Sequence, residues 1–170
     1  MLLWILRPLR LMAHALYETC SPRQIALGVA LGMMIGLLPK DNLTALSLTV
    51  ILFAFKFNLP AGLLSILAFS WVGVALDPLA HRTGDWVLHQ STLELAWAWI
   101  FQLPLMPWTA MNNTVVAGQF LFGLALMAPV YYAAKAAADR WLEPASQWVT
   151  SHRLYQILFG ADVASSWRTG

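Results

Sequence analysis

Three glycines at every fourth position of an apolar stretch are the feature that most constrains how this chain can fold. Gly28, Gly32 and Gly36 lie within residues 24–38, and the stretch ends at Pro39. Helix positions four apart share one face, so another helix backbone can approach closely along these glycines. The 15 residues of the stretch rise only about 22 Å, less than the roughly 30 Å hydrocarbon core of a bilayer. The pattern predicts a packed, undersized membrane helix that belongs to a hairpin.

The composition is that of an integral membrane protein of one domain. Of the 170 residues, 59% are hydrophobic and 11% are charged, whereas soluble domains have about 45–50% apolar and about 25% charged residues. Cys20 is the only cysteine, which excludes an intrachain disulfide and a cysteine-based metal cluster. The formal net charge of +2 is too small to argue for a nucleic-acid partner.

The apolar segments and their flanking residues predict an all-α integral membrane protein. About four short membrane-embedded helices are expected, and the first two form a hairpin of undersized helices that either crosses the bilayer fully or re-enters on the same side. Amphipathic interfacial helices complete the fold. The predicted apolar segments are residues 24–38, 43–55, 60–76 and 114–138.

Three regions follow from this pattern. Residues 1–20 form a basic amphipathic helix at the level of the lipid headgroups. Residues 21–138 form the membrane-embedded domain, in which residues 77–111 are an outer interfacial segment rich in tryptophan. Residues 139–170 form a cytoplasmic amphipathic tail.

Several helix starts can be read from local capping signals. Ser21 with Pro22 opens the first apolar helix, and Asp41 or Asn42 caps the second. A capped restart is predicted at Asp77 and Pro78. The sequence of residues 91–94 reads as a capping box that opens a tryptophan-rich helix.

The distribution of basic residues orients the chain. With four segments running out, in, out and in, eight of the ten Lys and Arg residues fall on one side. The positive-inside rule then places both termini in the cytoplasm. The eight are Arg7, Arg10, Arg23, Lys56, Lys135, Arg140, Arg153 and Arg168, against Lys40 and Arg82 on the other side.

A set of motifs over about residues 1–135 resembles the bacterial membrane-protein family catalogued as domain of unknown function 2062. The motifs are the run of residues 21–39, the N-terminal residues 3–10, Asn58-Leu-Pro60, Asp77-Pro-Leu-Ala-His81, and Pro107-Trp-Thr with Asn112-Asn-Thr114. The resemblance implies a multi-pass inner-membrane protein of Gram-negative-type bacteria, with no assigned activity and no established catalytic residues. The subfamily that it resembles is typically encoded beside a much larger single-span envelope protein, which suggests a two-component assembly.

Two groups of polar residues are candidates for a binding site. Lys40, Asp41 and Asn42 occupy the turn of the predicted hairpin, where Lys40 and the free N–H groups of the next helix could receive a lipid phosphate or another anion. Alternatively, the turn reaches the outer headgroups and Lys40 snorkels there. Asn112 and Asn113 either cap the last helix or contact this turn.

Two further candidates lie on helix faces. The face of Gly28, Gly32 and Gly36 packs either within the bundle or against a partner helix. A second set follows a four-residue spacing and is a weak candidate for binding zinc or a similar ion. The alternative is a polar face turned to water, so neither a metal nor a cofactor is assigned. This set is Asp77, His81, Asp85 and His89.

The function predicted from these features is that of a small non-enzymatic inner-membrane subunit. It docks the transmembrane helix of a larger envelope protein, in lipid transport or envelope maintenance, and its other partner is the lipid bilayer. Ser47, Ser65 and Ser70 have no histidine or lysine at pairing distance within their own helices, so no catalytic residue is assigned. The alternatives are a stand-alone transporter or lipid scramblase that uses broken helices, and a metal-dependent membrane hydrolase that uses the residues from Asp77 to His89.

Overall fold

The computed structural model of the protein describes residues 21–151, without the side chains of residues 142–151. Within this range the chain is all-helical and has no strand, which confirms the predicted class for this part of the protein. The interfacial helix predicted for residues 1–20 and the last part of the tail lie outside the described residues. The helices are α1 (Pro22–Leu37), α2 (Leu43–Ala54), α3 (Leu59–Leu88), α4 (Glu94–Ile100), α5 (Met106–Thr109) and α6 (Thr114–Ser151).

Side-chain caps open the first three helices. The Ser21 hydroxyl accepts a hydrogen bond from the Gln24 N–H at 3.3 Å, and the Gln24 side chain accepts one from the Ser21 N–H at 2.9 Å. This capping box confirms the helix start predicted at Ser21. Asn42 caps α2, and Asn58 caps α3 in the same way. These caps satisfy N–H groups that have no partner within their helix.

The predicted helix restart at Asp77 is wrong, because α3 runs without a break through Pro78. A proline inside a helix costs about 3 kcal/mol, since it removes one hydrogen bond and crowds the preceding turn. Here the second half of α3 is held by packing, with Ala80 and Gly84 buried against α6. The local signal was therefore overridden by tertiary contacts.

The capping box predicted at residues 91–94 is also wrong. α4 begins at Glu94 after Leu93, and no side chain caps it. The Leu93 N–H instead donates to the Gln90 carbonyl at 2.9 Å and closes a turn. Because the backbone of residues 90–93 forms this turn, the side chains of Ser91 and Thr92 do not cap α4.

The close contacts between helices fix the topology. Gly28 lies beside Asn58 and Leu37 lies beside Gly73, so α1 and α3 run parallel, and α2 returns the chain between them. Gly84 lies beside Thr114, which makes α6 antiparallel to α3. α1, α3 and α6 pack together as the core, and α2 lies on its outside.

Burial differs sharply between the two short helices. The second half of α1 is almost wholly buried between α3 and α6, whereas α2 buries only Ala45 and Leu52. Within the described range, two helices are long and apolar enough to cross a membrane: Leu59–Leu88 and Thr114–Trp141. These rise about 45 Å and 42 Å, against about 24 Å for α1 and 18 Å for α2.

Candidate functional site

The hairpin apex, residues 38–42 between α1 and α2, is built around Lys40. Its ammonium group donates to the carbonyl oxygens of Ile35, Gly36 and Leu38 at 2.5–2.9 Å. The last carbonyls of a helix have no N–H partner within it, and they carry the negative end of the helix dipole. Lys40 therefore caps the C-terminus of α1.

The rest of the apex is closed by Asn42. Its amide nitrogen donates to the Pro39 carbonyl at 2.7 Å, and its amide oxygen accepts from the Ala45 N–H at 2.9 Å. Asn42 is buried and Asp41 is exposed. An ammonium group has three donors, so Lys40 as placed directs its donors to its own chain, and an anion would have to displace these contacts.

The sequence allowed a contact between the apex and Asn112 or Asn113. The apex does lie close to the start of α6, but other residues make the contacts. The Thr44 hydroxyl donates to the Thr109 carbonyl at 3.0 Å, and Leu38, Ala45 and Val116 form an apolar cluster. Asn113 accepts from the Val115 N–H at 2.9 Å and so acts at the start of α6. Asn112 and Asn113 are both exposed.

The glycine face of α1 is turned toward α3. A Cβ atom at Gly28 would lie 2.5 Å from the Asn58 carbonyl oxygen, and one at Gly32 would overlap the Gly62 carbonyl oxygen. At Gly36 it would lie 2.7 Å from the Cβ atom of Phe69. All three glycines therefore allow contact with the same helix of the same chain.

A second close helix contact joins α3 to α6 and was missed in the sequence. A Cβ atom at Gly84 would overlap the Thr114 carbonyl, and one at Gly118 would overlap the Ala80 carbonyl. Ala80 and Gly84 are small residues four apart, which is the usual signal for such a contact. The signal was missed because residues 77–111 were expected to form an outer interfacial segment.

A polar pair, the buried Gln119 and the half-buried Asp77, connects the same two helices. The Gln119 side chain is 1% exposed, and its amide nitrogen donates to the Gly73 carbonyl at 3.1 Å and to an Asp77 carboxylate oxygen at 2.5 Å. Its amide oxygen accepts no hydrogen bond from any residue that the structure describes. A single glutamine in the apolar stretch of residues 114–138 is the signal that could have identified it, because polar residues there are costly and often functional.

The set from Asp77 to His89 is divided among separate contacts. Asp77 faces Gln119, whereas the His81 ring nitrogen lies 2.6 Å from the Thr114 hydroxyl. Asp85 and His89 lie 3.1 Å apart as an exposed pair. Over residues 21–141, whose side chains are described, no group of three His, Cys, Asp or Glu residues is placed to hold a metal ion.

One face of small residues on α6 is left exposed. It consists of positions four apart along the helix, which we call the α6 alanine stripe. These positions lie on the part of α6 that is long and apolar enough to span a bilayer. The members of the stripe are Ala125, Pro129, Ala133 and Ala137.

Comparison with known proteins places the chain among bacterial sequences. The model of a family described as an uncharacterized protein conserved in bacteria (DUF2062) matches residues 6–146. A relative in Treponema pallidum (strain Nichols), which carries the name "Uncharacterized protein", is 26% identical over 137 residues, covering 81% of this chain and 85% of its own length. No solved structure matches the chain.

Proposed function

Since this chain belongs to the bacterial family DUF2062, in which no activity is assigned, we propose its function from its surface: a small, non-enzymatic inner-membrane subunit that docks the transmembrane helix of a larger envelope protein. The α6 alanine stripe is the observation that carries this proposal. In lipid, helices associate by close packing of small residues, because exclusion from water provides no driving force there.

The other small-residue faces of the chain support this interpretation. The glycines of α1 meet α3, and Ala80 and Gly84 of α3 meet α6. In both cases small residues four apart mark a helix that lies against another helix. The α6 alanine stripe has the same spacing and is exposed over four successive positions. The α6 alanine stripe is therefore suited to bind one further helix, which the partner would supply.

The arrangement in the membrane belongs to the same proposal. α3 and α6 span the bilayer, and the hairpin of α1 and α2 re-enters from the cytoplasmic side. The short lengths of α1 and α2 support re-entry, as does the apex, where Lys40 and Asn42 satisfy backbone groups that would otherwise need water. Irregular backbone at membrane depth is tolerated only where its polar groups are satisfied.

Lipid transport or envelope maintenance is the shared task we propose for the pair. The connection between α3 and α6, residues 89–113, contains no lysine or arginine and exposes several large apolar side chains. Tryptophan at the ends of membrane helices favours the interface between lipid and water. The exposed residues include Leu95, Trp99, Leu105 and Trp108.

The two alternatives receive less support from the described residues. A polar path for a stand-alone transporter would use Lys40 and Asn42, whose polar groups are hydrogen-bonded to their own hairpin. A metal-dependent hydrolase would need Asp77 and His81 together, and these side chains contact Gln119 and Thr114 instead. We therefore prefer the docking subunit.

The test is affinity purification from native membranes with a bulky residue placed in the stripe. We expect one large envelope protein to co-purify in a fixed ratio, and Ala133→Leu to lower that ratio strongly because a leucine holds the helices apart. Ala68→Leu makes the same change at an exposed position of α3 and should leave the ratio unchanged. Both variants should keep the unfolding midpoint of the wild type. Equal recovery of the partner with Ala133→Leu, or no fixed partner at all, would refute the proposal.

A further inference from the structure

Basic residues from three parts of the chain come together at the end of the bundle where α1 and α3 begin. Arg23 lies in the first turn of α1, Lys56 in the connection between α2 and α3, and Lys135 in the second half of α6. The Arg23 and Lys56 side chains are exposed, and the Lys135 side chain is 41% exposed. We call these three residues the basic corner.

The packing of α6 on α1 brings Lys135 to the level of Arg23. Gly123 of α6 lies against Met34 of α1, and the two helices are antiparallel because α3 is parallel to α1 and antiparallel to α6. From this contact, twelve positions along α6 lead to Lys135 and eleven positions back along α1 lead to Arg23. These distances along the helix axes are about 18 Å and about 17 Å. The two basic groups are close enough for their charges to repel each other.

The start of α3 brings Lys56 to the same place. The Asn58 N–H donates to the Gln24 carbonyl at 3.2 Å, so Lys56 lies two residues from a contact with the neighbour of Arg23. Asn58 is 1% exposed, and its amide nitrogen donates to no residue in the part of the chain that the structure describes. This enclosed donor and the N-terminal ends of the α1 and α3 dipoles add partial positive charge to the basic corner.

One acidic side chain offsets part of this charge. An Asp139 carboxylate oxygen lies 2.9 Å from the Lys135 ammonium group, and both side chains are partly exposed. The other ion pair among residues 21–141 is Asp85 with His89, near the far end of α3. The basic corner with Asp139 therefore keeps a net positive charge within the described residues.

We propose that the basic corner binds the phosphate of one anionic phospholipid, such as phosphatidylglycerol, in the leaflet at this end of the bundle. Basic residues between membrane helices near the surface attract anionic headgroups, and arginine suits phosphate because its guanidinium group can donate two parallel hydrogen bonds. A phosphate between Arg23 and Lys135 replaces their repulsion with two attractions. In the topology proposed above this leaflet is cytoplasmic, but lipid binding requires neither that topology nor the partner protein.

The test is native mass spectrometry of the purified full chain in detergent, titrated with phosphatidylglycerol or phosphatidylcholine of equal acyl-chain length. We expect one phosphatidylglycerol per chain to be retained at concentrations roughly tenfold lower than those needed for phosphatidylcholine, because the zwitterionic headgroup carries a cation of its own. Equal retention of the two lipids would overturn the proposal. Binding of inorganic phosphate without a preference between the lipids would overturn it as well.

Variants connect this preference to the basic corner. Arg23→Gln removes one charge at an exposed position and should weaken phosphatidylglycerol binding about fivefold. Asp139→Asn removes the acid that pairs with Lys135 and should strengthen binding by a similar factor, a gain that loss of structure would not produce. Because the changed side chains are exposed, the unfolding midpoints without added lipid should match the wild type. Weaker binding in Asp139→Asn would contradict the proposal.

Arg140→Gln is the matched control, because it removes the same charge at the same end of the bundle. Arg140 follows Lys135 by five positions, so it faces another side of α6, and its guanidinium carbon lies 5.9 Å from the centre of the Trp141 ring. This variant should weaken binding by about twofold at most. Equal weakening by Arg23→Gln and Arg140→Gln would mean that the lipid responds to charge in general, and would refute the assignment to the basic corner.

Discussion

Gly32 lies at the point where the backbones of α1 and α3 come closest, and a methyl group there would overlap the Gly62 carbonyl. Neither backbone can move away without separating the two helices. We expect Gly32→Ala to lower the free energy of unfolding by about 1–3 kcal/mol, because overpacking outweighs the roughly 1 kcal/mol that alanine gains in helix propensity. Unfolding by detergent titration measures the change.

Gly123→Ala is the matched control for this prediction. The nearest atom to its new methyl group would be the Cγ atom of Met34 at 2.8 Å, which belongs to a flexible side chain. The methionine can adjust and alanine favours the helix, so stability should stay within about 1 kcal/mol of the wild type. Equal losses in the two variants would contradict the assignment of Gly32 to a contact between backbones.

Lys40 is expected to stabilise the end of α1 rather than to bind a ligand. Lys40→Met keeps most of the length of the side chain but removes the hydrogen bonds to three carbonyls. We expect a loss of about 1–2 kcal/mol in the free energy of unfolding, since hydrogen bonds to charged groups are strong but this one is partly exposed. Asp41→Asn, at the exposed neighbouring position, should change stability by less than about 0.5 kcal/mol.

Native mass spectrometry with anionic lipid distinguishes this role from the anion site considered from the sequence. If the stabilising role is correct, Lys40→Met should bind the lipid as the wild type does. A loss of lipid binding at unchanged stability would favour the anion site instead.

Among the elements, α1 has the least usual combination of properties, because it is short, apolar and enclosed. A helix of 16 residues rises about 24 Å and cannot cross a bilayer of typical thickness without help. In the re-entrant arrangement proposed above α1 does not cross, and α3 and α6 rather than lipid surround most of it. α2 lacks this protection and presents Leu46, Val50 and Phe53 outward, as suits a helix that faces lipid.

The proposed re-entry of this hairpin predicts how its apex reacts with reagents in water. With Cys20 replaced by serine, Asp41→Cys should react much more slowly than Ser91→Cys with a membrane-impermeant maleimide applied from the periplasm. Both positions are exposed in the protein, so a difference in rate reports shielding by lipid. Similar rates would mean that α1 and α2 cross the bilayer fully.

At the scale of the whole molecule, charge and topology agree. The start of α1, the end of α2 and the second half of α6 lie at the same end of the bundle. This end carries four basic residues, which are Arg23, Lys56, Lys135 and Arg140. Lys40 and Arg82 belong to the other half. Applied to the folded bundle, the positive-inside rule gives the same orientation that it predicts from the sequence, with the more basic end on the cytoplasmic side.

This orientation is tested by fusing alkaline phosphatase to the chain. A fusion after Gln102, in the connection between α3 and α6, should be active because the proposed topology places that connection in the periplasm. A fusion after Gly170 should be inactive because the proposed topology places the C-terminus in the cytoplasm. The reverse pattern, or activity at both positions, would reject the proposed topology and the docking geometry that depends on it.

The helical class, the long apolar segment of residues 114–138 and the caps at Ser21 and Asn42 could be predicted from the sequence. The class depends on composition, and a cap depends on residues three positions apart, so both are encoded locally. The resemblance to DUF2062 was likewise carried by short motifs, and the family match confirms it.

The tertiary structure decided the features whose partners are distant in the chain. Pro78 remains inside α3 because α6 packs against the turn beyond it, and the glycines of α1 face α3 rather than another chain. Gln119 meets Asp77 across 42 residues, a contact that no local pattern encodes. Local chemistry thus determined where most helices begin, whereas the free energy of packing between helices determined which faces are covered and which polar groups are enclosed.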